Sequence, residues 1–413
     1  MNSSVVRAYA VRIEAELTQN ILPFWMKQVV DQKQGTFVGE ISNDLVVDPT
    51  AARGALLSSR ILWTYSAAFR KYHNPAYLEM ARRAYDDLEK NFRDHQHGGY
   101  FWSIAADGTP LRTRKQVYGQ AFAIYALTEY YQATGQAEPL AKAIELFRLL
   151  EKKSRDTQAG GYLEAFSREW NPIEDMRLSV EDQNEPKSQN THLHVMEAFT
   201  NLMRVWPQAD LKQRQAELIT LMVDKILDSA THHLNLFFAM DWTPRSEAVS
   251  YGHDIEASWL LMEAAEVLDD PNLVKRLKPI ILKIADVTLA EGIDSDGALY
   301  NEGRAGKITD SNKEWWPQAE AVVGFLNAYQ YSKNQRYLDA ALRCWDFIEL
   351  ALVDIVHGEW FRGVTKDGTV LHDQPKVSFW KCPYHNGRTC LEAATRLRAI
   401  AASGISANRA FVG

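Results

Sequence analysis

The chain has 413 residues, of which 46% are hydrophobic, 24% charged and 11% aromatic, enough apolar material for a large core and none of the bias that leaves a chain disordered. Its formal net charge of −7 is small for this length, and its 46 Lys and Arg residues are scattered rather than striped, which argues against nucleic acid and anionic membrane as partners and for a neutral ligand. No apolar run reaches the length of a membrane span, and Arg7, Arg12, Glu14 and Glu16 interrupt the first residues in a manner unlike a signal peptide, so residence in the cytoplasm is expected.

Taken in chain order, apolar residues first recur at helical spacing over 4–28. The short aromatic, strand-like stretch Thr36-Phe37-Val38-Gly39 follows. Helices are then predicted over 51–71 and 75–92, split by His73-Asn74-Pro75 and followed by Gly99-Tyr100-Phe101-Trp102. The next pair, 115–134 and 137–154, is split by Thr134-Gly135-Gln136 and followed by Gly161-Tyr162-Leu163-Glu164. Helices over 190–205 and 211–228 flank Trp206-Pro207 and precede Leu236-Phe237-Phe238; those over 251–268 and 271–289 flank Asp269-Asp270-Pro271 and precede Ala298-Leu299-Tyr300. A final set, 314–332 and 335–353, leads to Glu359-Trp360-Phe361 and a last helix over 385–402. Ala106-Asp107-Gly108-Thr109 and Lys366-Asp367-Gly368-Thr369 mark hairpin turns, because Asp-Gly supplies the positive φ a tight hairpin needs.

The result is an all-α chain whose twelve helices carry β-hairpins in alternate, long connections. Each odd helix reaches its successor through a long segment, and each even helix reaches the next through a short breaker. Such alternation suits a closed (α/α)6 barrel spanning 1–413 as one catalytic domain, with the long connections gathered at one end; an open solenoid of six units is the competing architecture. Functional residues concentrate on long connections held by a rigid scaffold, so the hairpin end is the expected site.

The starts of the even helices are rich in residues able to do chemistry: Arg60, Tyr118, Asn190, His192, His194, His253, Glu256, Trp316, Glu320, Trp380 and His385. His192 and His194 point in different directions on a helix, so they do not share a metal and one of them is structural. His194 is placed in the cavity because it aligns with Asn190 four residues earlier. Glu256 lies three residues beyond His253, where it either fixes the imidazole tautomer or is a first-turn acid stabilised by the helix dipole. Trp316 and Trp380 offer faces on which a sugar's C–H surface can stack, although core packing is the alternative. Arg60 sits in a mostly apolar segment, where an unpaired burial is costly.

Three cysteines, Cys344, Cys382 and Cys390, show no framework spacing, as where thiols stay reduced. Cys382 and Cys390 flank His385, but eight residues apart they lack the close spacing of metal ligands. Glycine-rich phosphate motifs, H-E-x-x-H runs and nucleophile elbows are missing. The chemistry is therefore expected to rest on side chains, with no cofactor and no metal.

The strings R-I-L-W-T-Y (60–65), N-T-H-L-H-V (190–195), S-Y-G-H-D-I-E-A-S-W (250–259), W-W-P-Q-A-E-A-V-V-G-F-L-N-A-Y-Q (315–330) and W-K-C-P-Y-H-N-G-R (380–388) resemble the cellobiose 2-epimerases of the N-acylglucosamine 2-epimerase superfamily. The likeness runs over essentially the whole chain. It implies an (α/α)6 barrel that interconverts glucose and mannose configurations at the reducing end of β-1,4-linked disaccharides, without metal or nucleotide. By resemblance, His253 and His385 are the pair that removes and returns the C2 proton, and His194 assists ring opening or oxyanion stabilisation. Arg60, Tyr118, Asp182, Asn190, Glu256, Trp316 and Trp380 fall on substrate-contact or supporting positions. A small-molecule sugar is then the partner of a monomer or homodimer. The rival readings are a mannose 2-epimerase or aldose–ketose isomerase acting on monosaccharides, an N-acylglucosamine 2-epimerase, a glycoside hydrolase using Glu256 and Glu320, and a non-catalytic sugar-binding ring.

Overall fold

The computed structural model describes residues 3–409, with side chains as far as residue 403. Its helices are α1 (3–28), α2 (Ala55–Tyr72), α3 (75–92), α4 (Val117–Thr134), α5 (Ala137–Lys153), α6 (Gln189–Met203), α7 (209–226), α8 (Tyr251–Leu268), α9 (271–292), α10 (Trp315–Ser332), α11 (335–352) and α12 (Tyr384–Arg409). None is long and apolar enough to cross a membrane.

Two kinds of helix sequence produce two layers. α4 is apolar or small on nearly every side and buries each residue from Val117 to Tyr130, which only an inner position allows. α5 buries a single stripe of Pro139, Ala143, Leu146, Phe147 and Leu150 and shields its predecessor from outside. The even helices form the inner ring, each packed on the next, and α12 packs on both α10 and α2. That last contact closes a twelve-helix (α/α)6 barrel and excludes the open solenoid.

At one end the connections are short, and four of the inner helices stop on a left-handed residue: His73 (φ 53°), Gly135 (φ 69°), Asp269 (φ 58°) and Lys333 (φ 58°). The chain then turns straight into an outer helix. Asn74, Asp270 and Asn334 cap those helices by accepting from the amides of Ala76, of Asn272 and Leu273, and of Arg336, and Pro75 and Pro271 occupy first-turn positions that need no amide donor.

At the other end lie the hairpins. Tyr100, Tyr162, Leu234, Leu299 and Trp360 each make a single bridge back to a residue just after the outer helix, and the paired strands begin a few residues further on, except that Phe237–Phe238 pairs within its expected stretch. Those strands pair around the ring. Arg53–Gly54 runs antiparallel to Ser103–Ile104, Lys115–Gln116 to Ala165–Phe166, Lys187–Ser188 to Phe237–Phe238, Ala248–Ser250 to Glu302–Arg304 and Lys313–Glu314 to Gly363–Val364. Ile41 pairs with Val377 and completes the circuit. This pairing also explains why α2 starts at Ala55 rather than at 51: Arg53 and Gly54 are drawn into a strand.

Buried ion pairs pin the hairpin end. Asp94, Asp156, Asp294 and Asp354 cap the turns that follow outer helices, and each receives a lysine from the strand or loop ahead of an inner helix: Lys115, Lys187, Lys313 and Lys376. Lys187 Nζ donates to Asp156 Oδ2 at 2.6 Å and to the carbonyls of Gly160 and Met240 at 3.0 and 2.7 Å, so its charge is fully answered in a dry place. Removing one member of such a pair strands the other. Lys187→Ala should therefore cost about 3–5 kcal/mol, read as a lower urea midpoint at unchanged slope; a midpoint matching the parent would show that the pair does not hold the hairpin.

Candidate active site

The first two turns of the inner helices converge on a cavity of about 160 Å³ at the hairpin end, lined by Arg60, Tyr118, Asn190, His194, His253, Glu256, Glu314, Trp315, Trp316, Arg362, Trp380 and His385. Nine of the ten residues that the resemblance assigns to the site meet there. The tenth, Asp182, lines an adjoining cavity of about 360 Å³ that shares Asn190, His253, Glu314, Trp316 and Arg362 with the first. Asp182 accepts the Ser179 amide at 2.8 Å, and burial pushes its carboxyl up from the usual range.

Each histidine has its Nδ1 engaged, but by different chemistry. His194 Nδ1 meets Glu197 Oε2 at 2.8 Å, one turn further along α6, and His385 Nδ1 meets Glu320 Oε1 of α10 at 2.7 Å. A carboxylate at that nitrogen holds its proton there and leaves Nε2 as the basic atom. His253 Nδ1 instead meets the Ser250 hydroxyl at 2.9 Å, a partner that both donates and accepts and so leaves either tautomer open. Burial pushes His253 down to about 3, helped by the nearby His194 and His385. Burial also takes His385 down to about 3, against the upward pull of Glu320. Burial thus favours the neutral form of these two rings.

Trp316 lies beside both of these histidines, its ring 4.7 Å from that of His253 and 5.7 Å from that of His385. Tyr118 stands edge-on to His194 at 5.1 Å, and Trp380 is 6.3 Å from Tyr118. Arg60 is buried with no carboxylate partner among the described residues: Nη2 donates to the Tyr118 hydroxyl at 2.7 Å, Nη1 reaches the Trp380 carbonyl at 3.4 Å, and Nε is unpartnered. The guanidinium lies 4.3 Å from the face of Phe122. A buried cation met only by neutral groups and aromatic faces is poised to take up negative charge.

Glu256 departs from both expectations. It neither touches His253 nor sits in the first turn, whose acid is Asp254; its Oε1 accepts from Arg388 Nη2 at 2.6 Å. The reason is the stronger attraction of a buried guanidinium that also serves Glu320 Oε1 at 2.7 Å and, through Nη1, Glu197 and Tyr384. Arg388 thus ties together the carboxylates behind His194 and His385. Glu256, Glu320 and His385 bring ligand atoms within 4.8 Å of one another, but Arg388 Nη2 already binds both carboxyl groups and supplies the positive charge a metal ion would bring.

His192, two residues before His194, is confined to scaffolding: Nε2 accepts the Tyr162 amide at 2.9 Å and Nδ1 donates to the Ser188 carbonyl at 2.6 Å. The thiols are all buried, with Cys382 turned to Arg60 at 3.8 Å. Sequence reasoning missed Glu197, although its three-residue spacing from His194 was available, and Ser250, three residues before His253. Glu314 and Arg362 gave no signal of their own. They are placed by strand pairing, in which the Trp315 amide donates to the Arg362 carbonyl at 2.9 Å.

Comparison with known proteins gives the family. The family model described as N-acylglucosamine 2-epimerase matches residues 35–385. A cellobiose 2-epimerase of Bacteroides fragilis is 48% identical over 381 residues, covering 92% of this chain and 97% of that protein. One from Dictyoglomus turgidum is 41% identical over 382 residues, with 92% and 97% covered. The solved cellobiose 2-epimerase of Bacillus thermoamylovorans superposes with a TM-score of 0.89 at 39% identity, covering 94% of this chain and 99% of that one. The chain belongs to the N-acylglucosamine 2-epimerase family, where it groups with the cellobiose 2-epimerases.

Proposed function

We propose that this enzyme inverts C2 of the reducing-end glucose or mannose unit of β-1,4-linked disaccharides such as cellobiose and lactose. The observation that carries the reading is a set of three imidazoles facing one cavity that also holds a guanidinium with no carboxylate partner among the described residues. In the open-chain sugar the C2 hydrogen lies next to the C1 carbonyl, so its removal gives a cis-enediolate whose charge needs donors. Arg60 and Asn190 supply them. His385, its Nδ1–H fixed by Glu320, is the base or acid at one face of C2, and His253 serves the other. His194 assists opening of the ring, and Trp316 and Trp380 stack on the sugar. A single base that takes the C2 proton and returns it after rotation about C2–C3 would also invert the centre; in the two-base route one of the two rings beside Trp316 enters the reaction as an imidazolium and gives its proton while the other, neutral, takes the one from C2. The second cavity, with Asp182, has room for the non-reducing unit.

The glycoside hydrolase reading loses its support in the position of its carboxyl groups. Glu256 and Glu320 both bind one nitrogen of Arg388, at 2.6 and 2.7 Å, so that nitrogen stands where a scissile bond would have to lie.

Incubation with cellobiose in heavy water should place deuterium at C2 of the epimer, read by NMR; a ketose as main product would instead make the enzyme an isomerase. His253→Ala and His385→Ala should each lower kcat by ~10²–10⁴ while the far-ultraviolet circular dichroism stays that of the parent, and near-normal turnover would remove that residue from the proton transfer. The pH dependence of stability has a definite sign. Both histidines are held near 3 in the folded chain against about 6.5 when unfolded, so acidification protonates the unfolded state first. Stability should therefore fall as pH drops from about 6.5 toward 3, and the double variant His253→Gln/His385→Gln should lose less of it over that window. An equal loss would place the titration elsewhere.

A further inference from the structure

Below the cavity, three carboxyl groups share one guanidinium, and they are not equally supported. Glu197 accepts from Arg388, from the Tyr384 hydroxyl at 2.5 Å and from His194. Glu320 accepts from Arg388, from His385 and from the Trp259 indole at 3.1 Å. Glu256 has Arg388 alone: its Oε2 is buried, receives no hydrogen bond and belongs to a residue that lines the cavity. An ionised oxygen in such a place goes without the donor that its burial demands. The same oxygen carrying a proton becomes a donor on a residue that lines the cavity.

We propose that Glu256 is an undissociated carboxylic acid at neutral pH and that its Oε2–H donates a hydrogen bond to an oxygen of the bound sugar. The groups around it on the neighbouring helices are Glu320, Arg388, Glu197, Tyr118, Tyr384 and His385. Burial and the adjacent Glu320 push the Glu256 carboxyl well above the usual range. Arg388 and His385, against the upward push of burial, hold Glu320 down at about 2. Two carboxyl groups on one guanidinium nitrogen thus divide the labour: one is ionised and orients His385, the other keeps its proton. The arrangement also suits an enediolate, since a third ionised carboxylate beside the cavity would oppose the charge that develops there. In its catalytic consequence this inference rests on the proposed epimerisation; in its protonation state it does not.

The test uses Glu256→Gln, which preserves shape, an acceptor for Arg388 and a donor for the ligand, and Glu256→Ala, which preserves none of them. With cellobiose, kcat/KM of Glu256→Gln should fall by less than about tenfold, and that of Glu256→Ala by ~10²–10³. The alkaline limb that ionisation of Glu256 imposes on the parent should be absent from Glu256→Gln. A folded Glu256→Gln as inactive as Glu256→Ala would show that the carboxylate is needed and overturn the proposal. Infrared spectroscopy of the ligand-free enzyme decides the proton independently of any activity. The parent's neutral-minus-alkaline difference spectrum should contain the carbonyl stretch of an undissociated acid, lost in Glu256→Gln. If that band is missing, Glu256 is ionised and the proposal falls even if the enzyme epimerises cellobiose; if it is present in an enzyme that turns over no sugar, the function reading fails and the protonated acid stands.

Discussion

A guanidinium can be buried only if its charge is answered, and the Arg388 side chain, 1% exposed, is answered by carboxyl groups from three different inner helices: Glu197 of α6, Glu256 of α8 and Glu320 of α10. The converse holds as well, since each of those acids is itself buried and depends on Arg388. The cluster therefore forces four of the six inner helices into a fixed relation beneath the cavity. Because Glu197 and Glu320 also hold His194 and His385, the orientation of two rings follows from the same constraint. The cost of the assembly is high in a dry interior, and what it yields is a pair of imidazoles with a defined proton position.

His253 stands outside that network. Its Ser250 partner belongs to a residue of the strand that pairs with Glu302–Arg304, so this ring is set by the hairpin layer rather than by the helix core. The three histidines thus differ in kind: two are fixed by carboxylates from below, and one is held by a hydroxyl from the rim. For a reaction that needs one group to take a proton while another gives one, such inequality is useful.

Much of this was legible in the sequence. Helical periodicity located all twelve helices. The choice of His194 over His192 for the cavity rested on alignment with Asn190, and His192 is occupied by Ser188 and Tyr162. What could not be read were the non-local partners. Local spacing offered Glu256 to His253, whereas in the fold Arg388, 132 residues away, takes it. Arg53 and Gly54 were assigned to a helix because their strand partners lie in the following repeat. Glu314 and Arg362 reach the cavity by a pairing between repeats that no window of sequence contains.

The Ile41–Val377 bridge joins residues 336 apart, and with the packing of α1 and α2 on α12 it joins the two ends of the described chain. Bringing ends together over such a distance carries an entropic penalty before any contact rewards it, whereas the five other links join neighbours in sequence. The circle is therefore disposed to complete itself last. Arg60, on the first inner helix, and His385, on the last, lie on either side of that seam, so an incompletely closed chain can possess nearly all its helices and still have no pocket.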